Sequence, residues 1–104
     1  MVIDLEPRLG VTPEDIAAFC RRWGVEELSL FGSVLRDDFR PDSDVDVLVR
    51  FAPGLRPRGF GYVDMQLELE ALFRRPVDLI EQGRIENPFR RASIMQSRAV
   101  MYAA

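Results

Sequence analysis

The sequence contains no lysine and no histidine, and all fourteen of its basic side chains are arginine. A histidine general base, a lysine Schiff base and a phosphate-binding lysine of the Walker type are therefore excluded. Any catalysis must rest on carboxylates, hydroxyls, arginine guanidinium groups or a bound metal ion. A genome rich in G and C explains the arginine bias better than a functional requirement does.

Cysteine and long apolar runs are also scarce. The single cysteine, Cys20, cannot form an internal disulfide, and its place on the apolar stripe of a predicted helix favours a buried filler over a reactive thiol. No apolar run approaches the roughly 20 residues that cross a bilayer. The acidic start at residues 1–6 does not resemble a signal peptide. We therefore expect a cytoplasmic protein without a membrane partner.

Length and charge indicate how many domains the protein has and which kinds of partner suit it. The 104 residues, 47% hydrophobic and 30% charged, predict one folded domain over residues 1–104 and leave no room for a second. The net charge of −3 argues against extended nucleic-acid binding, which normally requires a basic face. A small molecule or another protein is the better-matched partner.

Helical and extended patterns alternate along the chain. Thr12 as N-cap and Pro13 at the first helical position begin a helix that ends at Gly24. The remaining pattern predicts strands over 25–31, 44–51 and 77–80, a helical turn over 33–36 capped by Ser33, a helix over 62–73, and a last helix from Asn87-Pro88 to about Arg98. This order implies a helix-covered sheet, α/β or α+β, in one domain.

Two acids, Asp44 and Asp46, stand two residues apart in a predicted strand, so both carboxylates point to the same face. Their repulsion is relieved either by a shared proton or by a divalent cation such as Mg²⁺ or Mn²⁺, which prefers oxygen ligands. Two solvated acids at a strand end are the alternative.

A third acid, Asp78, lies in the otherwise apolar strand 76–80, where a charged residue requires a reason. A functional reason would be that Asp78 faces the same cleft as the first two acids. Metals held by three carboxylates can align a hydroxyl with a phosphorus atom. A salt bridge to Arg74 or Arg75 is the alternative.

Gly32 and Ser33 follow the first predicted strand and suit a phosphate site. Gly32 lets the backbone approach a triphosphate closely, and Ser33 adds a hydroxyl, although Gly-Ser is also common in ordinary turns. Arg36, one turn later, can contact phosphate or pair with a nearby aspartate. Ser43 either contributes to the site or only caps its loop.

Residues 30–36 and 43–49, with the later Asp78, resemble the signature of the DNA polymerase β nucleotidyltransferase superfamily, and more narrowly the minimal nucleotidyltransferases. The resemblance covers nearly the whole chain. It implies a small mixed sheet flanked by helices, with Asp44 and Asp46 as catalytic metal ligands and Gly32 and Ser33 holding ATP phosphates. Asp78 would be a third catalytic metal ligand or the general base for the acceptor hydroxyl. Two residues depart from the family pattern. Asp37 replaces a frequent glycine, and Arg50 replaces a frequent acid near the cleft rim.

The resemblance also implies a partner. Short members of this family often act as antitoxins that add AMP to a HEPN-domain toxin, which is the leading hypothesis. A non-catalytic antitoxin that masks its toxin by contact and a transferase acting on a small molecule are the alternatives. Intact Asp44, Asp46 and Asp78 favour the enzyme over a masking surface. The absence of an acceptor-binding domain disfavours the small molecule.

Overall fold

The computed structural model describes residues 9–36, 39–40 and 42–104. Over these residues the chain forms three α-helices, four strands and two short 3₁₀ helices. In chain order these are α1 (Pro13–Trp23), β1 (Val25–Phe31), a 3₁₀ helix (Gly32–Leu35), β2 (Val45–Phe51), α2 (Gly61–Phe73), β3 (Val77–Glu81), a second 3₁₀ helix (Gln82–Arg84), α3 (Pro88–Ser97) and β4 (Ala99–Ala103).

The four strands form one mixed sheet in the order β3-β2-β1-β4. β1 lies antiparallel to both β2 and β4, whereas β2 and β3 are parallel. The expected small mixed sheet with flanking helices is therefore confirmed. The parallel pairing matters most for function, because it sets the starts of β2 and β3 side by side.

Helix α1 begins and ends as its sequence predicts. The Thr12 hydroxyl accepts a hydrogen bond from the Asp15 backbone N–H, and the Asp15 carboxylate accepts one from the Thr12 N–H in return. Gly24 ends the helix in the left-handed conformation. Cys20 is fully buried on this helix, as expected of a filler.

The two faces of the sheet bury separate apolar clusters. The larger cluster joins α1 and α2 to odd-numbered residues of β2, such as Val45 and Val47. The smaller cluster lies on the opposite face, where α3 packs Ile94 against Phe31 and Leu48. Because side chains alternate along β2, Asp46 shares the face of Leu48 and thus the side of the sheet that α3 covers.

The outer edge of β3 is hydrogen-bonded by α2. The Tyr62 hydroxyl donates to the Leu79 carbonyl, the Gln66 amide donates to the Val77 carbonyl, and Glu70 accepts from the Val77 N–H, at 3.0 Å in each case. The three helical residues are four positions apart, so they lie along one face of α2. These hydrogen bonds join α2 to β3 in addition to the apolar contacts between the two elements.

Two local predictions are wrong. Strand β4 was not expected, since the pattern of the last helix runs directly into it and two of its five residues are alanine, a weak strand former. Ser33 does not cap the helical turn, because the 3₁₀ helix begins one residue earlier at Gly32 and its N-cap is Phe31.

Large apolar side chains are exposed on part of the surface. Phe60, the N-cap of α2, and Val63 and Leu67 within the helix are 84%, 52% and 57% exposed, and their spacing places them along its outer side. Phe89, in the first turn of α3, is 85% exposed. Among the described residues, no helix is long and apolar enough to cross a membrane.

Candidate active site

The predicted acids converge where β2 and β3 begin. Asp46 is the second residue of β2, Asp78 is the second residue of β3, and the two are direct partners across the parallel strands. Asp44 comes just before β2 rather than within it. Asp46 is partly buried, whereas Asp44 and Asp78 are exposed.

The electrostatics of Asp46 reflect this convergence. Burial raises the pKa of the Asp46 carboxyl, and the nearby charges of Asp78 and Asp44 raise it further. The guanidinium groups of Arg36 and Arg90 act in the opposite direction and lower that pKa. Two neighbouring carboxylates therefore act on Asp46 at this edge of the sheet, and two arginines partly offset their effect.

Gly32 joins the same site from β1. The preceding residue, Phe31, pairs with Asp46 across the antiparallel strands, and Gly32 has a φ of 75°, a left-handed conformation that favours glycine. A Cβ atom on Gly32 would overlap the Asp46 Oδ2 atom and lie 3.2 Å from its Cγ atom. The backbone thus approaches the central carboxylate as closely as only glycine permits.

Ser33 and Ser43 have local roles in the structure. The Ser33 hydroxyl donates to the Asp44 carbonyl over 3.4 Å, a long hydrogen bond. The Ser43 hydroxyl accepts from the Arg40 N–H at 3.0 Å, so Ser43 caps its loop. A contact of either serine with a nucleotide stays a prediction.

Arg75 does not neutralise Asp78, as the alternative reading of that acid required. Its guanidinium donates to the backbone carbonyls of Arg40 and Ser43, at 3.0 and 3.4 Å, and lies over the Phe39 ring, 4.5 Å from the centroid. Among the described residues, Asp78 forms no salt bridge with Arg74 or Arg75. The loop before Asp44 is therefore tied to the start of β3 by Arg75.

Arg36 and Arg50, the two other arginines that the sequence placed near the site, have different surroundings in the structure. Arg36 lies close enough to Asp46 to lower its pKa, while Asp37 and Asp38, two of its suggested partners, lie outside the described residues. Arg50, expected near the cleft rim, instead pairs with Glu26 and Glu27 at 2.8 and 3.0 Å, toward the far end of β2.

Sequence reasoning did not single out Arg90. It lies in the first turn of α3, where acids are usual and arginine is unfavourable. That mismatch is the signal by which the sequence could have identified it. Its approach to Asp46 also depends on how α3 packs on the sheet, which the local pattern does not give.

The acids do not form a complete metal cage. Among the described residues, no group of three or more histidine, cysteine, aspartate or glutamate side chains is arranged to hold a metal ion. The oxygen donors of the three aspartates nevertheless suit Mg²⁺, which proteins usually bind through one or two carboxylates together with substrate phosphates. The close approach of Gly32 to Asp46 leaves backbone, rather than a side chain, beside those donors.

Comparison with known proteins agrees with this geometry. A family model described as a nucleotidyltransferase domain matches residues 16–101. The protein adenylyltransferase MntA of Thermococcus cleftensis is 36% identical over 66 residues, which cover 64% of this chain and 65% of that protein. The matched segment thus spans just under two thirds of the length of this relative.

Solved structures share the fold. A candidate minimal nucleotidyltransferase is 32% identical, with a TM-score of 0.73, and the match covers 93% of this chain and 95% of that one. A toxin–antitoxin crystal structure with AMP-PNP has a TM-score of 0.71 at 17% identity, covering 90% and 75% of the two chains. The second likeness shows the fold alone. Signature, sheet and family match agree, and the chain belongs to the nucleotidyltransferase domain family.

Proposed function

We propose that this protein is a metal-dependent adenylyltransferase that transfers AMP from ATP to a side-chain hydroxyl of a partner protein. The observation that carries the proposal is the register of the sheet, which sets Asp46 beside Asp78 and brings Gly32 against Asp46. This arrangement combines hard oxygen donors with a partly buried glycine backbone that carries no side chain, which suits a nucleotide phosphate chain. The adenylyltransferase name of the Thermococcus relative supports AMP as the transferred group.

The aspartates have distinct roles in the proposed reaction. Asp44 and Asp46 would hold Mg²⁺ or Mn²⁺, and Asp78 would serve as the general base for the acceptor hydroxyl or as a third ligand. A bound divalent cation would neutralise the phosphate charge and stabilise the leaving oxygen. Gly32 and Ser33 border the phosphate chain, with Arg36 and Ser43 as further proposed nucleotide contacts.

The transfer exchanges one phosphorus–oxygen bond for another. The acceptor hydroxyl oxygen forms a bond to the α-phosphorus of ATP, while the bond from that phosphorus to the oxygen bridging to the β-phosphate breaks. Pyrophosphate leaves with the bridging oxygen. The hydroxyl proton passes to the Asp78 carboxylate, which is exposed and thus open to an acceptor from outside the chain.

The partner that fits this proposal is a HEPN-domain toxin, so the protein would act as its antitoxin. The family resemblance and the toxin–antitoxin structure with the same fold support this pairing. Residues 1–104 are proposed to form the whole catalytic domain, with the partner supplying the acceptor and the missing walls of the cleft.

Masking by contact is the second candidate function. The exposed Phe60, Val63 and Leu67 along α2 favour it, because an apolar stripe of this kind can bind a protein surface. Catalysis and masking differ in their products. Only catalysis leaves a covalent AMP on the partner.

Mass spectrometry separates the two functions. A neighbouring gene that carries a HEPN signature would supply the candidate partner. This partner is incubated with ATP, Mg²⁺ and the protein, and the expected result is a mass gain of one or more AMP units. Asp44→Ala should abolish the gain, while the matched control Asp64→Ala, an exposed acid on α2, should retain it. If the partner is silenced at stoichiometric ratio without a mass gain, masking is the function.

Metal dependence is tested by calorimetry with ATP. We expect binding in the presence of Mg²⁺ and much weaker binding in EDTA, because no lysine or histidine is available to neutralise a triphosphate. Asp46→Asn should weaken Mg²⁺-dependent binding while the fold stays intact. Equal affinity with and without the metal would contradict the metal site.

A further inference from the structure

Arg90 is held in place by a well-defined helix start. Asn87 caps α3, and its side-chain oxygen accepts hydrogen bonds from the Phe89 and Arg90 backbone N–H groups at 2.9 and 3.1 Å. Arg90 is therefore the third residue of a regular helix rather than part of a loose loop. Its side chain is exposed, so it is open to a ligand.

The packing of α3 fixes the side on which Arg90 lies. Ile94, four residues later, is 6% exposed and packs against Phe31 and Leu48. Residues four apart lie on the same face of a helix, so Arg90 belongs to the face of α3 that turns toward the sheet. Phe31 is the cross-strand partner of Asp46, so this face meets the sheet beside the aspartates.

No direct contact within the described part of the chain accounts for an arginine at position 90. Among the described residues, its guanidinium forms no salt bridge and no hydrogen bond. A cation in the first turn of a helix is disfavoured by the helix dipole. The neighbouring Arg91, by contrast, donates to the Ile85 carbonyl at 2.9 Å and so has a structural role.

We propose that Arg90 is a nucleotide-binding residue that contacts the phosphate chain of ATP across the cleft from Gly32. The inference rests on the proposed function. It follows from the shared face of Arg90 and Ile94, from the exposure of its guanidinium and from its place beside the aspartates. A planar guanidinium donates paired hydrogen bonds to phosphate oxygens. Its positive charge also offsets the negative charge that remains when a metal ion is bound between three carboxylates and the phosphates.

The test compares Arg90→Gln with Arg21→Gln in titrations with ATP and Mg²⁺. Arg21 is an exposed arginine on α1, which packs against the opposite face of the sheet, so its substitution makes the same change of charge away from the site. Arg90→Gln should weaken ATP binding about ten- to a hundredfold, the range for losing a charge-assisted hydrogen bond. Arg21→Gln should bind as the wild type does, and Arg90→Lys should fall between.

Inorganic triphosphate is the second probe, because it carries phosphate without a base or sugar. Arg90→Gln should weaken triphosphate binding by about the same factor as ATP binding, with an unchanged melting temperature. Unchanged ATP binding, a loss limited to ATP, or a loss accompanied by a large fall in melting temperature would each overturn the proposal. If the wild type binds no ATP, the proposed function itself fails, and this inference fails with it.

Discussion

Gly32 allows a quantitative test of how tightly the backbone and the central carboxylate are fitted together. Gly32→Ala adds a Cβ atom where φ is 75°, which costs roughly 1–2 kcal/mol for a non-glycine residue. The same atom would overlap Asp46 Oδ2, so the carboxylate must leave its position, at a further cost of about 0.5–1.5 kcal/mol for an off-rotamer side chain. The free energy of unfolding should therefore fall by about 1.5–3.5 kcal/mol, and the melting temperature by about 6–28 °C.

A double-mutant cycle separates these two costs. Asp46→Ala removes the overlapping oxygen and keeps only the Asp46 Cβ, which would lie 3.6 Å from the added atom, an ordinary contact. In the Asp46→Ala background, Gly32→Ala should lower the free energy of unfolding only by the cost of an alanine in the left-handed conformation, about 1–2 kcal/mol. The coupling between the two positions should therefore be about 0.5–1.5 kcal/mol.

The assay is urea or thermal unfolding of the four proteins in metal-free buffer. Equal costs of Gly32→Ala in both backgrounds would refute the close fit between Gly32 and Asp46. Transfer activity provides a second readout. Gly32→Val should abolish it, whereas Ser33→Ala, which loses one long hydrogen bond, should reduce it less.

Three further outcomes follow from single residues. Because the pKa of Asp46 is raised in the folded state, its ionisation destabilises the fold as pH rises. Asp46→Asn should therefore be more stable than the wild type at pH 7 without metal, as measured by urea unfolding. Near pH 3.5 the same measurement should show that the variant has lost this extra stability. Burial raises the pKa of Cys20 to about 12, so iodoacetamide should alkylate the native thiol at least about a hundredfold more slowly than the unfolded one, and equal rates would contradict its burial. Arg75→Ala should lower the free energy of unfolding by about 1–2 kcal/mol, because it removes the hydrogen bonds to backbone carbonyls and the contact with the Phe39 ring. Thermal unfolding checks this, with Arg58→Ala as the exposed control.

The sequence predicted those features that depend on near neighbours. The capping box of α1 lies within four residues, and the spacing of Asp44 and Asp46 lies within three, so both could be deduced from local pattern. The mixed sheet followed from the family resemblance. It could not follow from spacing, because the parallel pairing of β2 and β3 joins segments separated by a helix.

The features that sequence reasoning missed depend on distant contacts. β4 forms because β1 offers it an open edge, since Val100 and Tyr102 favour extended structure but the strand is only five residues long and contains two alanines. Arg75 was considered a partner for Asp78, but carbonyls more than thirty residues away bind it instead. Arg90 reaches the site only through the packing of α3, which no local pattern encodes.

The hydrogen bonds that α2 makes to β3 also decide how this sheet can grow. An edge strand with free N–H and C=O groups is a template on which a further strand can assemble. Tyr62, Gln66 and Glu70 already occupy three of those groups on β3, so a strand arriving there would have to displace the helix side chains. Of the two edge strands that the structure describes, β4 is therefore the one at which β-augmentation by another chain can begin.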